Sequence, residues 1–122
     1  MSKPLTYPPK DKIALYDKLV ATNPDIKRKG KTSPYTSVNG HMFSYLSKTG
    51  TAAIRLPKAE REAFLVKYNT TIDEQYGAVM KEYVRVLDDL LQNTSALKPY
   101  LDLSFAYTKS LKPKPTTKKK KR

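Results

Sequence analysis

One histidine, no cysteine and a scatter of carboxylates bound the chemistry this 122-residue chain could perform. His41 is the natural candidate for acid–base work, because an unperturbed imidazole titrates near neutrality. It stands in NGHMFSYLSKTGTAAIRLP, residues 39–57, the most organised stretch of the sequence. A usual zinc site needs three or four His, Cys or carboxylate ligands, more than one histidine without cysteine can supply. Ser44 and Ser47 are nearby hydroxyls, but Ser-His chemistry also needs an orienting carboxylate and an oxyanion hole. The nearest acids, Asp25 and Glu60, sit in no recognisable motif.

Carboxylates are paired at Asp73-Glu74 and Asp88-Asp89. An acid and base of the glycosidase kind must face each other across a substrate, which adjacency in sequence does not imply. Asp88-Asp89 suits the N-terminus of a short helix, where negative charge is favoured. Gly30, Gly40, Gly50 and Gly77 are isolated turn residues and form no phosphate-cradling loop or dinucleotide fingerprint. The expectation is a protein without catalytic residues, cofactor or metal. The alternative is a small enzyme or ligand-binding protein with a site near His41 and Arg55, which a deep pocket holding both would promote.

Charge is the strongest compositional signal. The chain has 24 Lys+Arg against 11 Asp+Glu, a formal +13. The tail LKPKPTTKKKKR, residues 111–122, carries seven of the positive charges and no negative one, leaving a net +6 elsewhere. Its prolines and like charges give it nothing to bury, so it reads as disordered. Lys118, Lys119, Lys120, Lys121 and Arg122 are candidate contacts to phosphates, each adding salt-sensitive, nonspecific affinity. A second basic cluster, KRKGK, places Lys27, Arg28, Lys29 and Lys31 around Gly30 in what reads as a flexible loop.

These residues need elements to position them. Ile13, Tyr16, Leu19 and Val20 recur at the spacing of one helical face, and Asn23-Pro24 stops that helix. SPYTSV leads into Asn39-Gly40, the strongest short hairpin signal. HMFSYLS and AAIRL then read as two more strands joined at Gly50, with Arg55 outward. Pro57 opens a helix, KAEREAFLVKY, that buries Phe64, Leu65 and Tyr68. In NTTIDEQYG, residues 69–77, a short strand is conceivable at Ile72, but the acidic pair and Gly77 favour a loop. AVMKEYVRV alternates as a strand, with Met80, Val84 and Val86 on one side and Lys81, Tyr83 and Arg85 on the other. LDDLLQ reads as one helical turn. A last helix over about 95–110 stacks Leu97, Leu101, Phe105 and Thr108, with Pro99 in its first turn or at its true start.

The expected fold is α+β in two layers: an antiparallel sheet of about five strands, with helices on one side. Its order is α-β-β-β-α-β(-β)-α. It spans residues 10–110, between an N-terminal arm (1–9) and the basic tail (111–122). No apolar run approaches the roughly 18 residues of a membrane span, and MSKPLTYPPK lacks a signal peptide's apolar stretch. The expectation is a cytoplasmic protein without membrane contact.

Nine tyrosines make the domain aromatic-rich. Tyr45 and Tyr83 fall in strands, and Tyr83 shares a side with Lys81 and Arg85. Such a face stacks bases while cations neutralise phosphates, closes the edges of a core, or forms a homodimer interface. No RNP-like motif accompanies it.

The Met42-Phe43 pair opening a hairpin, then AIRLPKAEREAF, YGAVMKEYVRVLDDLL and LKPYLDLSFAYTKSLKPK, resemble the N-terminal domain of the TfoX/Sxy competence-regulator family over residues 10 to about 114. Ser44-Tyr45 stands where that family typically has Gly-Gly. The chain looks like a short, stand-alone version, and YjbR-type proteins are a weaker second resemblance. The resemblance implies a regulatory, non-enzymatic module, competence- or transcription-related, working through a protein partner, a homodimer or nonspecific nucleic-acid contact.

Overall fold

The computed structural model describes residues 8–112, except residues 31, 32 and 76. Its elements are α1 (Lys10–Val20), β1 (Tyr35–Val38), β2 (His41–Leu46), β3 (Ala52–Arg55), α2 (Lys58–Lys67), β4 (Ile72–Gln75), β5 (Ala78–Val86), α3 (Asp88–Leu91) and α4 (Thr94–Lys109). The strands form one antiparallel sheet in the order β1-β2-β3-β5-β4. The α+β architecture and element order expected from the sequence are those observed. The tail from residue 113, Lys31 and the first seven residues lie outside the described part.

Local chemistry accounts for the turns. Asn39 and Gly40 both take positive φ, 56° and 80°, as a type I′ hairpin requires. Helix α2 ends in a Schellman motif: Thr70 N–H donates to Leu65 C=O, Asn69 N–H to Val66 C=O, and Asn69 has φ 51°. Asp88 and Asp89 occupy the first turn of α3, as their charge favours.

Two local expectations are corrected. Residues 72–75 form strand β4 rather than a loop. The acidic pair is divided between environments: Asp73 is 2% exposed, while Glu74 faces solvent. Pro99 lies in the second turn of α4, whose cap is the Asn93 side chain accepting from Ala96 N–H. The proline forfeits only a bond to Ser95, next to the helix start, so the helix tolerates it.

The core lies between the sheet and the helices. Pairing aligns Thr36, Ser44, Ile54, Val84 and Ile72 across the sheet, with Ala52 and Val86 two residues further on. Against this face pack Tyr16 and Leu19 of α1, Phe64 of α2, Leu91 of α3, and Leu97 and Leu101 of α4. All four helices thus cover one side. Burial of each large side chain stabilises by about 1.5–3 kcal/mol.

Two irregularities shape the sheet. On β1, Thr36 pairs with Ser44 but Ser37 pairs with Met42, so Phe43 is an extra residue on β2. The bulge lets consecutive residues Phe43 and Ser44 both be buried on the helix side. Phe43 packs on Phe105 with centroids 5.6 Å apart, and its carbonyl accepts from Ser104 Oγ at 3.3 Å. Ser44 Oγ meets Tyr16 Oη at 2.7 Å and Thr36 Oγ1 at 2.5 Å.

The second irregularity is larger. Ile72 pairs with Val84 and Glu74 with Val79, so one residue of β4 stands opposite four of β5. The ladder cannot continue straight through that mismatch. It brings Gln75, Ala78 and Met80 over the helix-free face, where they share a cavity with Tyr35, Met42 and Tyr45. Met80 therefore leaves the side of Val84 and Val86, where strict alternation placed it.

Candidate binding face

The helix-free side of the sheet carries most of the residues singled out in the folded chain, and the structure orders them by hydrogen bonding. Tyr35, Tyr45, Ala53 and Arg85 form one cross-strand row, with Arg55 and Tyr83 paired beside it. Asp73 enters this row from the edge strand. Its carboxylate accepts from the Tyr45 hydroxyl, from Arg85 Nε at 3.0 Å and from Gln75 Nε2 at 2.8 Å. Buried charge is tolerated only when partnered, and these three donors supply that partnership.

Tyr45 is 6% exposed and packs on Tyr83, with ring centroids 5.4 Å apart. Burial, followed by the adjacent Asp73 carboxylate, raises its pKa well above the ordinary tyrosine value. It stays a neutral donor and offers no phenolate. The Tyr83 hydroxyl donates to Met42 C=O at 2.7 Å. Burial raises the Tyr83 pKa, while Arg55 acts in the opposite direction. Both tyrosines are thus engaged within their own chain, instead of forming the open stacking platform the sequence allowed.

Two recesses open on this face. The first, about 450 Å³, has Pro34, Tyr35, Met42, Tyr45, Leu46 and Met80 among its walls. The second, about 460 Å³, is an open groove running past Gly40, His41, Met42, Arg55, Met80 and Lys81. It brings together His41 and Arg55, which the sequence could only suggest. Neither points a reactive group into it unpartnered: His41 Nε2 lies 2.8 Å from Lys112 C=O, and Arg55 Nε donates to Glu82 at 2.6 Å. The Arg55 guanidinium also stands 5.9 Å from the Tyr107 ring centroid, and Tyr107 donates to Glu82. These contacts fasten the end of α4 to the sheet.

The basic candidates among the described residues do not converge. Arg28 Nε pairs with Asp17 at 2.9 Å and its Nη1 donates to Gly30 C=O. Lys29 exchanges backbone hydrogen bonds with Tyr35, and its Nζ donates to Ser37 at 2.8 Å. Gly30, at φ +83°, approaches so closely that an added Cβ would lie 2.2 Å from Ser33 O. Residues 28–30 of the segment read as a flexible loop are therefore pinned along the β1 edge. Lys81 and Arg85 belong to β5, three strands away, or roughly 14 Å at ordinary strand spacing. Lys27 and Lys81 are exposed. Lys31 and the five tail residues 118–122 lie outside the described residues.

Among the described residues, no cluster of three or more His, Cys, Asp or Glu is placed to hold a metal. No helix there is long and apolar enough to cross a membrane. Sequence reasoning missed Asp73, Gln75, Met42 and Met80 as builders of this face. The available signal was an acid beside Ile72 in a segment that could pair with the wet side of β5, where Arg85 already stood. No family model, curated protein or solved structure matches the chain.

Proposed function

We propose that this chain is a non-enzymatic binding module of a regulatory kind, with the helix-free sheet face as its recognition surface. The observation that carries the reading is a division of labour on that face. Tyr45, Asp73, Arg85, Arg55 and Glu82 are engaged with one another, while Met42 and Met80 line both recesses and Val79, 56% exposed, lines the second. Such a surface suits contact with a protein, including a second copy of the chain. The resemblance of the sequence motifs to the TfoX/Sxy N-terminal domain is the ground for proposing a competence- or transcription-related role. Basic residues add nonspecific attraction for nucleic acid, chiefly through the tail.

The test is binding of the full chain to labelled duplex and single-stranded DNA at about 50 and 200 mM salt, with sedimentation velocity on the same samples. Replacing Lys118–Lys121 and Arg122 by serine should abolish DNA binding, whereas Val79→Asp should leave it intact and weaken self-association. DNA binding that survives both the replacement and the higher salt would place a nucleic-acid site on the folded domain and overturn this division. A second reading, a small enzyme or ligand-binding protein, is favoured by the groove that His41 and Arg55 share.

A further inference from the structure

We propose that the first recess is a binding site for a small uncharged molecule with a flat apolar body and a hydrogen-bonding head. This rests on the reading of the helix-free face as the binding face and names a ligand class for it. At about 450 Å³ the recess falls within the roughly 300–1,000 Å³ of small-molecule sites. Its position is fixed by the fold, because the β4–β5 mismatch carries Met80 and Ala78 over Tyr35 and Tyr45.

The walls are rigid where recognition requires it. Tyr45 is held by Asp73, Asp73 by Arg85 and Gln75, and the Met42 carbonyl by Tyr83. Little ordering remains to be done on binding, which favours affinity for a small ligand. Two methionines supply the adaptable part of the wall, since an unbranched thioether follows an apolar or aromatic shape.

Besides the two tyrosines, the polar residues around the recess are Ser33, Ser47, Lys48 and Gln75, and the last three also border a second cavity of about 230 Å³ completed by Thr49 and Glu74. That annex offers hydroxyls and an amide, with one basic and one acidic residue. The two charges cancel in net charge, so neither an anionic nor a cationic head gains a net attraction there and a neutral head is preferred. An apolar body in the larger recess places its head in the annex.

The probes are indole-3-acetamide, indole-3-acetate and tryptamine, which share one body and differ in head charge. The readout is the methyl spectrum of the full chain labelled with 13C-methyl methionine. Of the three methionines, Met42 and Met80 line the recess, and Met1 lies outside the described residues. The amide should shift both wall methyls saturably with Kd about 1 mM, the affinity a ligand of that size reaches at ordinary efficiency. The two ions should bind at least about threefold more weakly, since their heads lose hydration without a matching net charge. Ala78→Trp, at an exposed position on the rim, should abolish the shifts while circular dichroism stays unchanged.

No shift of Met42 and Met80 up to about ten times that Kd would overturn the site. Shifts persisting in folded Ala78→Trp would do the same. Preference for either ion would overturn the neutral-head assignment. Self-association and DNA binding are measured separately, so failure here leaves the binding-module reading standing or falling on its own experiment.

Discussion

Thr36 and Thr108 are both fully buried, and the same isosteric change to valine should move stability in opposite directions. Thr36 Oγ1 lies 2.5 Å from Ser44 Oγ, which lies 2.7 Å from the Tyr16 hydroxyl, all three residues being 0% exposed. Thr36→Val removes one of these hydrogen bonds, leaves Ser44 paired with Tyr16 alone, and should cost about 1 kcal/mol. Thr108 Oγ1 is buried without a hydrogen-bond partner. Thr108→Val replaces a hydroxyl that paid its desolvation cost for nothing and should gain about 1 kcal/mol. Valine and threonine have similar shape and helix propensity, so packing changes little in either case. The expected separation is about 2 kcal/mol, or ~1 M in urea midpoint at a slope of roughly 1.5–2 kcal/mol per molar. Urea titration followed by far-ultraviolet circular dichroism measures it in a chain without tryptophan. Equal loss in both variants would show that hydroxyl burial is not what distinguishes the two positions, and the reasoning would fail.

Three further outcomes follow from the same geometry. Asp73→Asn keeps an acceptor beside Tyr45 but removes the charge that pairs with Arg85; a loss of about 1–2 kcal/mol is expected, and a stability gain in urea would refute the network's role. Burial, partly offset by hydrogen bonds from Ser44 and Thr36, raises the pKa of Tyr16, so above about pH 10 the unfolded chain loses that proton first. Stability should therefore hold below pH 10 and fall above it, with Tyr16 contributing a slope of about 1.4 kcal/mol per pH unit that Tyr16→Phe removes; an unchanged slope in that variant would contradict this. His41→Ala should alter thermal stability by less than about 0.5 kcal/mol, whereas Ile54→Asp, at 1% exposure, should unfold the domain; comparable losses would mean that His41 is structurally misjudged.

The fold was legible where a residue's local signal agreed with its tertiary environment. Asn39-Gly40 demanded positive φ at both positions and received it, and Ala52, Ile54 and Leu56 alternated into the core as their spacing indicated. The face carrying the recesses was less legible, because it depends on two places where alternation breaks. Nothing in the types Met42-Phe43-Ser44 announces a bulge, since burial of both Phe43 and Ser44 follows from α4 and α1 arriving on the same side. Period-two reasoning puts Met80 on the side of Val84 and Val86, whereas the β4–β5 mismatch carries it to the opposite face.

The acidic segment shows the physical reason most clearly. Asp73 reads as a loop residue because an isolated carboxylate is costly to bury, and that inference holds until its donors are known. Tyr45 and Arg85 come from strands 28 and 12 residues away in sequence, and only the folded register brings both within reach. Once they are present, the acid becomes the fastening that holds the edge strand and positions the tyrosine wall. A sequence states the cost of such a residue locally, while its compensation is supplied by tertiary structure. Buried polar residues that local rules misassign are therefore where a cavity of this kind should be sought, and in this chain that residue lies directly behind it.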